Sequence, residues 1–159
     1  MEGDEKFELS DDQPLKLKAV DTEDLKVIST FLQDSIFTRK DFKYDPLRRE
    51  LSLLFNRVRW ELYNHSNRAS DGVERVRSLL MIHDVLECEN NLAEEGKVQV
   101  PLSLLNIDFE SSIEGTGKLN LNLSGYWNIQ AKVECINIYM NDVTQPYVAP
   151  SKKYPKHPE

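Results

Sequence analysis

Apolar and polar residues alternate with a period of two over most of this chain, and follow a helical period only once. Leu15, Leu17 and Ala19 alternate with Lys16 and Lys18, which predicts a strand over Pro14 to Val20 with one wet face. Pro14 suits the first position of an edge strand, where no ladder donor is needed. The helical stretch comes next, from Asp21 to Asp34. Asp21 or Thr22 can accept from the orphan amides of the first turn, and Glu23 and Asp24 place negative charge where the helix dipole favours it. Leu25, Ile28, Phe31 and Leu32 then fall on one stripe.

After this helix the period returns to two. Phe42 and Tyr44 lead into the turn signal Asp45-Pro46, and Leu51, Leu53 and Phe55 share one parity. Val58 and Trp60 fall on the other parity, which predicts a β-bulge or bend around Asn56-Arg57. Arg75 to Glu87 is apolar on both parities in its middle and predicts a central strand covered on both faces. Val98 to Glu110 is a further strand region. Gly115-Thr-Gly117 is a turn, and Leu119, Leu121 and Leu123 alternate cleanly. From Trp127 to Met140 the parity changes after Cys135, which predicts a bulge or a strand shared between two sheets.

About seven strands and one N-terminal helix predict an α+β fold, mostly antiparallel, built as a roll, sandwich or partly open barrel. The 159 residues divide into a disordered acidic start (1–13), a single domain (14–143) and a Pro/Lys-rich tail (144–159).

Charge narrows the range of partners. The net charge is −7, and residues 1–12 hold six acids against Lys6 alone. A surface of that sign repels phosphate backbones, so nucleic acid is disfavoured as a partner. No apolar run is long enough to suggest a membrane span, and the acidic, polar start lacks the pattern of a secretory signal. Cys88 and Cys135 are expected as free thiols in the cytoplasm, with Cys135 on an apolar parity in the core.

The chemistry-bearing residues exclude more than they identify. His65, His83 and His157 lie far apart, no Cys-x-x-Cys occurs, and no metal or cofactor is expected. No Gly-x-Ser-x-Gly is present, and neither cysteine has a base nearby in sequence, so no catalytic residue is assigned. Glu87 with Glu89 and Asp108 with Glu110 are carboxylate pairs, each on one strand face, as ordinary solvated strands also have. The arginines are more informative: Arg48, Arg49, Arg57, Arg59, Arg68, Arg75 and Arg77 crowd one stretch. If the strands bearing Arg57/Arg59 and Arg75/Arg77 are neighbours, four guanidiniums could form a patch for a carboxylate or phosphate. The plainer reading is cross-strand pairing with surplus acids.

At these arginines the chain resembles a known family. Tyr44-Asp-Pro-Leu-Arg-Arg-Glu-Leu-Ser-Leu-Leu-Phe-Asn-Arg-Val-Arg-Trp-Glu61 is similar to the signature of the alphaproteobacterial "domain of unknown function 2948" family. That family pairs a Pro-x-Arg-Arg turn with an apolar strand ending in Asn-Arg-x-x-Trp-Glu. The opening Leu17-Lys-Ala-Val-Asp-Thr-Glu-Asp-Leu25, Arg75-Val-Arg77, Val133-Glu-Cys-Ile136 and Pro155-Lys-His-Pro158 are similar too. Glu50 departs from the aromatic or apolar residue expected after the arginine pair. The resemblance implies a bacterial, cytoplasmic, single-domain protein and carries no activity with it.

Two functional expectations follow. The first is a non-catalytic binding or scaffold domain contacting a protein partner, a homodimer included, through Arg49, Asn56, Arg57, Trp60 and Glu61 with Arg75 and Arg77. The second is a small protein or enzyme that holds an anionic metabolite in an arginine patch, which requires a pocket gathering those side chains.

Overall fold

A computed structural model of the chain describes residues 13–62, 73–92 and 100–148. The acidic start up to residue 12, Arg68, His65 and the tail beyond Val148 lie outside the described residues. Strand β1 (Lys16–Ala19) leads into helix α1 (Thr22–Phe31). The helix begins where its chemistry directs. Asp21 caps it by accepting from the Asp24 amide at 2.8 Å, and Asp24 in return accepts from the Val20 amide at 3.1 Å. Leu25, Ile28 and Leu32 are buried on the face that meets the sheet.

The remaining strands are β2 (Ile36–Phe37), β3 (Phe42–Asp45), β4 (Glu50–Val58), β5 (Glu74–Ile82), β6 (Val85–Asn90), β7 (Leu102–Ser111), β8 (Gly117–Leu123), β9 (Asn128–Val133), β10 (Ile138–Asp142) and β11 (Tyr147–Val148). Pairing is antiparallel throughout, in the order β1-β10-β5-β4-β2-β7-β8-β9-β6, with β3 also on β4 and β11 also on β5. The sheet does not close on itself. The expected α+β, mostly antiparallel class is what the chain adopts, with eleven strands among the described residues in place of about seven.

Some of the surplus strands are the short β2 and β11; the others arise at one corner, where two of the expected strands each break in two. Asp84, in the left-handed region at φ 60°, ends β5 and starts β6. Glu134 to Asn137 likewise separate β9 from β10. In this way β5 and β10 pair in one half of the sheet, while their continuations β6 and β9 pair in the other. The second parity change was therefore a strand shared between two sheets, as one of its two readings had it. The expectation for Cys135 is overturned: the residue sits in this corner, exposed, and its thiol donates to Asp84 at 3.6 Å.

The first parity change has a different cause. β4 runs without a bulge in continuous register against β5, from Leu51 opposite Ile82 to Val58 opposite Arg75. Leu51, Leu53, Phe55 and Arg57 all point inward, so Arg57 occupies an inner position that its charge disguised. The larger core lies between the sheet and α1, with Phe37 and Phe55 in edge-to-face contact at 5.2 Å, and a smaller cluster joins Val58, Val73 and Trp60. Gly117 is required where it stands, because a Cβ there would lie 2.2 Å from the Phe109 ring.

Candidate functional site

The arginine-rich strands are neighbours, as the patch required, but the register divides their side chains between opposite faces. Arg57 lies opposite Val76 on the inner face; Arg75 and Arg77 lie opposite Val58 and Asn56 on the outer face. Arg57 is fully buried and every guanidinium donor is used. Its Nε donates to Ser78 Oγ (3.0 Å) and Asp142 Oδ1 (2.9 Å), and Nη2 to Asp142 Oδ2 (2.8 Å) and Glu61 Oε2 (2.9 Å). Nη1 donates to Glu61 Oε1 (2.9 Å) and the Val58 carbonyl (3.2 Å), and the group stacks 6.0 Å from the Phe31 ring. Two bidentate carboxylates leave nothing free to clamp a ligand.

The electrostatics follow from that geometry. Burial alone would lower the Arg57 pKa, but the hydrogen bonds and charges of Glu61 and Asp142 outweigh it and raise it further. For Asp142 burial pulls the carboxyl up, and the bonds from Arg57 and Ser78, with that of the Leu15 amide, bring it below its ordinary value. Glu61 stands on the 3₁₀ turn Trp60–Leu62, which Trp60 anchors by donating from Nε1 to the Gln33 carbonyl at 2.8 Å. Arg59 is buried beside this network, 2.7 Å from Glu74 and 3.7 Å from Glu61.

The other candidates are dispersed. On the outer face Arg75 donates to the Asn56 carbonyl at 3.2 Å, and the Arg77 main chain bonds Thr144 and Val143. Arg49 is at the corner, with φ 58°, and its Nη2 pairs with Glu134. Close by, hydrogen bonding from Asn137 lowers the Asp84 pKa, burial raises that of Cys135, and His83 lies 3.3 Å from Glu50. Seven candidates thus fall into three places: Arg57, Glu61 and Trp60 around the buried network, Asn56, Arg75 and Arg77 outside, and Arg49 at the corner.

Two surface features that sequence reasoning passed over lie in the other half of the sheet. The first is an open 410 Å³ groove over its outer face, lined by Glu87, Glu89, Glu110, Lys118, Gln130 and Lys132. Asn120 bridges Asp108 and Glu110 there, donating to each at 2.7 Å. Its residues stand on the alternating outer face of β6, β7, β8 and β9, which pair in the order β7-β8-β9-β6 beneath the groove. The second is a 430 Å³ groove between α1 and β7, lined by Leu25, Lys26, Ser29, Asn106, Ile107 and Phe109 among others.

Along this second groove the edge of β7 is open. β2 covers β7 only at Leu102 and Ser103, and the chain around Asp34 and Ser35 bonds Leu104. A bulge between Leu104 and Asn106 then sets the main-chain groups of the odd-numbered residues toward the edge away from β8. The Ile107 amide meets Ser29 Oγ at 2.9 Å. By strand alternation the main-chain groups of Phe109 and Ser111 point the same way, and they meet no hydrogen-bond partner among the described residues. No hydrophobic pattern could have revealed this, because it depends on where β2 stops.

The model of the family described as "Protein of unknown function (DUF2948)" matches residues 15–157. The chain belongs to this family. The DUF2948 match begins at Leu15, whose amide reaches Asp142 and so joins the Arg57 network, and it includes the whole β7 edge. No curated protein and no solved structure matches the chain. No helix among the described residues is long and apolar enough to cross a membrane.

Proposed function

We propose that this DUF2948 protein is a non-catalytic binding or scaffold domain that contacts a protein partner, and that the partner engages the open edge of β7 beside α1. The observation carrying this reading is the outward-facing main chain of Phe109 and Ser111 next to an apolar groove. An extended segment laid along such an edge gains main-chain hydrogen bonds, and its alternate side chains enter the groove. The edges at the two ends of the strand order are worse templates. β1 carries Lys16 and Lys18, and β6 has a register shift between Val85 and Glu87.

The anionic-metabolite reading loses its clamp, since Arg57 is saturated by its own carboxylates and Arg75 and Arg77 lie across the sheet from it. The test is chemical-shift mapping with an alternating Thr-Val hexapeptide. Perturbations centred on Ile107 to Ser111 and on the α1 residues Thr22 to Ser29 are expected. Shifts centred on Asn56, Arg75 and Arg77, or none at millimolar peptide, would overturn the proposal.

A further inference from the structure

The edge of β7 also has a charge pattern. Resting on the reading just given, we propose that its partner is an extended segment with basic residues at alternate positions and apolar residues between them. The outer face of β7 presents Asp108 and Glu110 two residues apart. Both carboxylates are exposed, and their hydrogen bonds come from neutral amides: Asn120 Nδ2 to each at 2.7 Å, and Asn122 Nδ2 to Asp108 at 2.9 Å. Neither has an ion pair among the described residues. Lys118, directly across the ladder from Glu110, is not within pairing distance of it. On the side away from β8, the same two carboxylates would flank an added strand.

An added strand places every second side chain on the outer face, next to Asp108 and Glu110, where opposite charge is favoured. The intervening side chains enter the groove floored by Leu25, Ile107 and Phe109, where apolar groups are favoured. The two preferences have the same period of two, set by the pleat, so a basic-apolar-basic segment satisfies both without adjustment. The open amides and carbonyls of β7 then bond its main chain regardless of sequence. Specificity therefore comes from the carboxylates, and affinity from the edge.

The test is fluorescence anisotropy of the full chain with a labelled Lys-Val-Lys-Val-Lys-Val peptide, compared with Thr-Val and Glu-Val hexapeptides. The basic peptide is expected to bind about tenfold more tightly than the Thr-Val peptide, and the Glu-Val peptide more weakly than either. Two N-methylated forms of the basic peptide, methylated at every lysine or at every valine, carry the same charge but block opposite edges. One should bind and the other should not. Asp108→Asn with Glu110→Gln should abolish the tenfold preference while keeping the affinity for the Thr-Val peptide.

Equal binding of the three unmethylated peptides, with the methylation effect intact, would overturn the charge preference and leave the docking edge standing. Equal binding of both methylated forms would show that charge alone holds the peptide, and would overturn both. Tighter binding of a peptide of residues 149–159 would assign the edge to the chain's own tail. A dimer in sedimentation that peptide dissociates would assign it to a second copy. Either result would overturn the proposal.

Discussion

The two halves of the sheet handle polar residues in opposite ways. In the half formed by β7, β8, β9 and β6, side chains follow the alternation: Leu119, Leu121 and Leu123 point into the core, while Lys118, Asn120 and Asn122 lie on the outer face, where Asn120 is buried against Asp108 and Glu110. In the half formed by β1, β10, β5 and β4, a charged residue follows three apolar ones on the inner face, and a second carboxylate from a distant strand meets it there. The difference shows that the tolerance of a position cannot be inferred from its residue type. A lysine in the first of these halves stands on the outer face; Arg57 in the second joins β4 to β5, β10 and the turn that carries Glu61.

Breaking that contrast should have its largest effect at Arg57. Arg57→Leu leaves Asp142 buried without its cation and Glu61 with Arg59 alone, and should destabilise the fold by about 3–5 kcal/mol in urea denaturation. A loss below about 1 kcal/mol would mean that the network contributes little beyond packing. Asp142→Asn sharpens the point through pH. The carboxyl has a lowered pKa in the folded state, so its contribution is present above its unfolded pKa of about 3.9 and is lost as pH falls through the folded value. Urea midpoints of the wild type and this variant should differ most near pH 7 and converge below about pH 4; a gap independent of pH would count against the pairing. The smallest effect belongs to the other half, where Lys132→Ala on the outer face of β9 should shift stability by no more than about 0.5 kcal/mol.

The sequence made one half legible and obscured the other for the same physical reason. Period-two reading assigns apolar residues inward and charged ones outward, which is correct for β8 and for the α1 stripe of Leu25, Ile28 and Leu32. Arg57 violates the rule, and the violation mimicked a bulge. What revealed it is its partner Asp142, 85 residues away in sequence, a pairing that no local pattern encodes. Cys135 misled in the opposite direction: its parity matched Val133, yet the chain turns at Glu134 and carries the thiol outward. The arginine cluster was visible as composition, but its division between two faces depends on register. The β7 edge was invisible, because an open edge is a property of what fails to pair with it.

Asp142 also imposes an order on assembly. Its main chain and side chain both hold Leu15, 127 residues earlier, and β10 is the strand that lies between β1 and β5. A chain emerging from the ribosome must therefore carry β1 without its neighbour, and Arg57 without one of its two carboxylates, until the chain has been made as far as Asp142. The half of the sheet that holds the buried charge can close only when β10 arrives to join β1 to β5, so β10 acts as the clasp of the fold.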